Sequence, residues 1–129
     1  MIHYISIEEV LAIHEEMIRL FGGRLEVHDF TLLHSAVERP KASFDGKDLY
    51  TSIFDKATAL IQSLILNHPF DDGNKRTALT SCAFFLSSNH FELSLQKDEA
   101  IQFTLDIDSH ALSFEEISRW LKEHSERMN

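Results

Sequence analysis

A chain of 129 residues, 43% of them apolar, is the size of one ordinary domain with a real core. A formal net charge of −9, from 21 acids against 12 bases, repels phosphate backbones and anionic lipid. The bulk surface is therefore unsuited to nucleic acid or membrane, and only a local basic pocket for a small anion is left open. Four glycines and two prolines are too few for the turns of an all-β fold, so helices are expected.

Ser6 followed by Glu9 is a capping box, and Ile7, Val10, Leu11, Ile13, His14, Met17, Ile18 and Phe21 then fall near one helical face until Gly22-Gly23 stops the helix. Residues 24–30 are irregular, and Asp29 caps a short helix that Pro40 ends. Asp45-Gly46, flanked by Phe44 and Tyr50, reads as a small hairpin flap or an extended loop over 41–50. Residues 51–68 are helical and apolar nearly all round, which marks the central, most buried helix. It ends at His68, because Pro69 biases the preceding residue away from helical geometry.

A second central helix follows from Asn74, with Ala78, Leu79, Cys82, Ala83, Phe85 and Leu86 inward. FELSLQ (91–96) reads as extended, and 97–110 and 113–126 as two more helices, the second opened by the capping box Ser113 and Glu116. The expectation is one all-α domain over 1–129, of about six helices with a short β-hairpin flap. The lone cysteine, Cys82, forms no internal disulfide and suits a reducing compartment. The N-terminus has no basic, apolar leader, and no run reaches the ~18 apolar residues of a membrane span. A cytoplasmic protein is expected.

The stretch between the two central helices, NHPFDDGNKRTAL, carries the chemistry. As a bare connection it needs no explanation, since Pro, Asp, Gly and Asn are turn residues. Its charges do need one. Lys75 and Arg76 open a helix whose N-terminus is already positive, which suits a bound anion. Gly73 lets backbone approach a ligand closely, and with Asn74, Lys75 and Arg76 it makes an anion nest. Asp72 offers a hard oxygen to Mg²⁺, and His68 can accept a proton from a hydroxyl. Base, metal carboxylate and phosphate cradle within nine residues describe a nucleotide-dependent transferase site.

HPFDDGNKR resembles the signature of the Fic/Doc superfamily, and Lys75 is similar to the death-on-curing (Doc) toxin branch. ISIEEVLAIHEEMIRLFGG, the NKRTAL helix and the overall length carry the resemblance over nearly the whole chain. It implies a toxin of a toxin–antitoxin system that moves the γ-phosphate of ATP, with Mg²⁺, to a threonine of elongation factor Tu and stops translation. By position, His68 would be the general base and Asp72 the Mg²⁺ ligand. Asn74, Lys75, Arg76 and the Gly73 backbone would hold phosphates, Phe70 would anchor the loop, and the 41–50 flap would align the target. AMP transfer is the nearest alternative. The Fic branch has Gly where Lys75 stands, and many of its members have a second arginine where Leu79 stands. A non-catalytic binding module is the other alternative. No inhibitory Ser/Thr-x-x-x-Glu-(Gly/Asn) segment is present, so control would fall to a Phd-like antitoxin.

Other residues carry less. His14 in HEEM lacks the second ligand of a metalloprotease helix, since residue 18 is Ile. Cys82 lies on an apolar face and reads as packed, and Trp120 with Phe114, Ile117 and Leu121 reads as a core stripe.

Overall fold

The fold is built around the helix that has almost no face to offer to water. In the computed structural model, which describes residues 1–129, α3 (Ile53–Asn67) starts at Ser52, whose hydroxyl accepts the Asp55 N–H. Its buried residues run nearly continuously from Lys56 to Ile65. Against it pack α4 (Asn74–Ser88), α2 (Phe30–Glu38) and α6 (Phe114–Glu123). Next to these lie α1 (Ile7–Phe21), which packs on α4, and α5 (Lys97–Asp108), which closes over α3 and α4. One apolar cluster joins all six helices, with Val10, Leu33, Leu60, Phe85, Phe103 and Ile117 among its members.

The expected caps form. Ser6 and Glu9 exchange side-chain and backbone hydrogen bonds at the start of α1, and Ser113 and Glu116 do the same for α6. Asp29 accepts the Leu32 N–H at the start of α2. Cys82 is fully buried, and burial pushes its thiol pKa up to about 12, as befits a packed rather than a nucleophilic group. Trp120 is half-buried, stacked between Phe103 at 3.6 Å and His124 at 3.8 Å.

Two details depart from the sequence expectation. The last helix stops at Glu123, and β4 (Ser125–Arg127) pairs antiparallel with β3 (Phe91–Leu93), so the end of the chain becomes a strand. The second concerns the flap. A hairpin does form, β1 (Ser43–Phe44) with β2 (Lys47–Asp48), turning at Asp45 and Gly46, which both have positive φ. However, it is tied to the first turn of α3. The buried Lys56 ammonium donates to Asp48 Oδ2 at 3.1 Å and to the Pro40 carbonyl at 3.4 Å. His68 caps the opposite end of this helix, which is about 22 Å long at ~1.5 Å per residue. The hairpin thus lies toward the end of α3 opposite His68, and the segment lying against the motif loop is 24–29.

Lys56 is an uncommon core residue, 1% exposed. Burial opposes its charge, hydrogen bonding to Tyr4 and Asp48 favours it, and the balance holds its pKa above lysine's ordinary value. The pair's contribution is thus fully present below lysine's usual titration range and is lost only as pH rises through the raised value. Replacing Lys56 by Met should cost under about 1 kcal/mol, because an apolar stem stays in the core and the exposed Asp48 returns to water. Asp48→Ala strands the buried ammonium and should cost more, about 1–3 kcal/mol. Urea unfolding midpoints of the two variants test this ordering.

Candidate active site

The loop between α3 and α4 is held from three sides. Asn74 holds it from within: its Oδ1 accepts the Phe70 N–H at 3.0 Å and its Nδ2 donates to the Phe70 carbonyl at 2.9 Å. Phe70 itself is buried and lies flat on the His14 ring, with centroids 3.7 Å apart and planes 7° from parallel. From α1, His14 Nε2–H donates to the Asp72 carbonyl at 2.8 Å. On the third side, segment 24–29 adds short β-like contacts. Val27 bridges Phe70, the His28 and Asp29 N–H groups donate to the Pro69 carbonyl at 2.7 and 3.0 Å, and the Asp71 N–H donates to the Glu26 carbonyl at 3.3 Å.

Two glycines make this closeness sterically allowed. A Cβ on Gly23 would lie 2.9 Å from Asp72 Cβ, and one on Gly73 would lie 3.2 Å from Ile18 Cδ1. Gly73 also has φ +81°, a conformation costly for any other residue.

These contacts fix the side chains that the sequence singled out. His68 leaves α3 in left-handed geometry, φ 45° and ψ 56°, a helix end that glycine usually takes. Its half-exposed imidazole points Nε2 at Asp108 Oδ1, 3.2 Å away, from the last residue of α5. The other carboxylate oxygen, Oδ2, accepts from Lys75 Nζ at 3.1 Å. The Lys75 hydrogen bond, reinforced by its charge and by His68 against a small desolvation penalty, holds the Asp108 pKa below the usual carboxylate value. Asp72 Oδ2 accepts the Arg24 N–H at 2.7 Å, which leaves Oδ1 without a protein partner.

No side chain caps α4 at Gly73, and its first turn contains no acid, so the N–H groups of residues 74–76 have no protein acceptor. The Arg76 guanidinium lies 4.3 Å over the Phe21 ring. His68, Asp72, Gly73, Asn74, Lys75 and Arg76 all line one cleft of about 780 Å³. The rest of its wall is largely apolar and comes from α1, α4 and α5, with Met17, Phe21, Leu79, Ile101 and Leu105. A basic, donor-rich end and an apolar body suit a molecule with phosphates at one end and a flat ring at the other.

The Fic/DOC family profile matches residues 4–86, well over half of the chain. The chain belongs to the Fic/DOC family. Over 78 residues it is 49% identical to a protein named Toxin Doc from Mycolicibacterium smegmatis, a match covering 60% of each chain. Over 86 residues it is 31% identical to a protein named Protein kinase doc from Escherichia phage P1, covering 67% of this chain and 68% of the relative. The matched stretches thus leave about a third or more of each relative's length uncovered.

The Fic/DOC match explains which parts of the site the motif could reveal and which it could not. All six residues chosen from the motif come together, although the Asn74 amide is engaged by Phe70 and shapes the loop, leaving its backbone N–H as the group without a protein acceptor. His14 and Asp108 also belong to the site, and the motif gives no sign of either. His14 does sit on the buried face of α1, four residues after Val10, as its spacing requires. Its aim at the Asp72 carbonyl is a tertiary fact. Asp108 lies beyond the residues that match the family, on a helix whose sequence carries no motif.

Two substitutions test this construction. His68→Gly should relieve the left-handed strain, leaving stability unchanged or raised by up to about 1 kcal/mol while removing the imidazole. Thermal unfolding of the variant checks the sign. Asn74→Ala should destabilise by about 1–3 kcal/mol, because it leaves the Phe70 N–H and carbonyl without their partner. Its urea midpoint, compared with that of Asn67→Ala, which gives up one amide hydrogen bond to the Leu32 carbonyl at the end of α3, checks that the loss exceeds that of a single such contact and belongs to the loop.

Proposed function

We propose that this protein is the toxin of a toxin–antitoxin pair and transfers the γ-phosphate of ATP to a hydroxyl of a target protein, a threonine of elongation factor Tu, thereby inhibiting translation. The observation that carries the reading is the convergence of His68, Asp72, Lys75 and the uncapped start of α4 on one cleft with an apolar body. The relatives' names, Toxin Doc and Protein kinase doc, point the same way.

In this reading the nucleoside lies against the apolar wall, and the phosphates reach the α4 N-terminus, where Lys75, Arg76 and the free N–H groups take their charge. Asp72 fits Mg²⁺, since one of its oxygens is free and the ion commonly binds through one or two carboxylates plus substrate phosphates. Bound there, the ion would neutralise phosphate charge. His68 accepts the proton of the attacking hydroxyl as the oxygen–phosphorus bond forms and the bond to the leaving diphosphate breaks. Positioning and charge do most of the work, which suits a site built by a rigid loop. Control falls to a second protein, a Phd-like antitoxin, whose flexible segment would order on this domain. No helix is long and apolar enough to cross a membrane.

ATP labelled separately at the α- and γ-phosphate tests the reading, with purified elongation factor Tu and with a bacterial extract as targets. The expected outcome is γ-label on a threonine, no α-label, and loss of transfer in His68→Ala by about 10²–10⁴-fold. Transfer of α-label would replace the phosphate reading with AMP transfer. The absence of both labels from every target would leave the fold as a binding module.

A further inference from the structure

One carboxylate touches two of the residues on which the proposed chemistry depends. Asp108 Oδ1 lies 3.2 Å from His68 Nε2, and Oδ2 lies 3.1 Å from Lys75 Nζ. Neither His68 nor Lys75 has another side-chain partner. A deprotonated carboxylate only accepts hydrogen bonds, so Nε2 of the neutral imidazole carries the proton and Nδ1 is left as the proton acceptor. Asp108 is not among the residues that line the cleft with His68 and Lys75, and it reaches both from the end of α5.

We infer that Asp108 is a positioning residue: it holds the base, His68, and the phosphate cation, Lys75, in a fixed relation to each other, and in doing so weakens the site's hold on anions. This rests on the nucleotide-transfer reading above. His68 and Lys75 sit on opposite sides of the loop, at the end of one helix and the start of the next. Without a common partner each turns freely, and a long ammonium side chain has much rotamer freedom to lose on alignment. One rigid anion across both removes that freedom before substrate arrives, which favours turnover. The same anion sits in contact with the loop's principal cation, so an incoming phosphate meets a Lys75 already paired. Neutralising Asp108 should therefore move affinity and turnover in opposite directions, whereas loss of a merely structural residue lowers both.

The test compares the wild type with Asp108→Asn, which keeps the size of the side chain, and Asp108→Ala. Mg²⁺–ATP affinity is measured by calorimetry at low salt, and single-turnover γ-phosphate transfer at saturating ATP. The tautomer of His68 is read from its ring ¹⁵N shifts. In Asp108→Asn the Kd should fall by about three- to tenfold, as expected for removing one charge near a partly exposed cation. The transfer rate should fall by about 10–100-fold from lost alignment. The wild-type ring should be almost wholly the Nε2–H tautomer, and Asp108→Ala should relax toward the mixed, mainly Nε2–H balance of a free imidazole. Parallel loss of affinity and rate, an unchanged Kd, an Nδ1–H wild-type ring, or the same tautomer balance in wild type and Asp108→Ala would each overturn the assignment. If the wild type binds ATP but transfers no phosphate, the transferase reading fails, and with it the gain in turnover assigned to Asp108. The affinity and tautomer measurements then still decide whether Asp108 pairs with His68 and Lys75. Failure of both wild type and variant to bind ATP would overturn the nucleotide reading and the inference together, with the tautomer showing whether the bridge itself exists.

Discussion

The active loop depends on one side chain that behaves like a strand neighbour. The Asn74 amide accepts from the N–H of Phe70 and donates to its carbonyl, so a residue bridged to Val27 on one edge has its backbone paired on the other edge as well, as in a sheet. With Phe70 fixed, its ring fills the space against His14, and the chain on either side has nowhere to slide. The other end of α4 repeats the device. Asn89 Oδ1 accepts the His3 N–H, and its Nδ2 donates to the His3 carbonyl, both at 2.9 Å. One helix is thus tied at its start to the loop before it and at its end to the N-terminal segment.

The electrostatics of the site oppose this rigidity. Placing Lys75 and Arg76 at the start of a helix without a side-chain cap concentrates positive potential where the backbone is already positive. The protein relieves part of it internally. Asp108 meets Lys75, and the Phe21 ring presents its electron-rich face to Arg76. The unused N–H groups at the helix start are not relieved, and they belong to residues that line the cleft. The residual field is therefore local and directed, on a molecule whose overall charge is strongly negative.

Periodicity and caps made most of the architecture legible. Ser6 with Glu9 and Ser113 with Glu116 mark helix starts within a few residues, because the capping box is a local interaction encoded locally. The apolar run of α3 marked the centre for the same reason. Long-range pairing was less accessible: β4 takes its partner from β3 more than thirty residues earlier, and nothing in SER itself demands a strand. Asp45-Gly46 announced a turn correctly but could not say which end of α3 it would sit against, since that depends on Lys56 finding Asp48. In the site, the motif supplied the loop. The residues that reach it from α1 and α5, His14 and Asp108, are placed only by tertiary packing.

The position of the hairpin has a practical side. Asp45 and Gly46 project from the end of α3 remote from His68, with open space around Gly46 and the strands paired over only two residues each. A loop tip of this kind accepts inserted sequence with little strain on its base. A fluorophore or affinity handle grafted between Asp45 and Gly46 would therefore mark the molecule while leaving the cleft lined by His68 and the α4 N-terminus untouched.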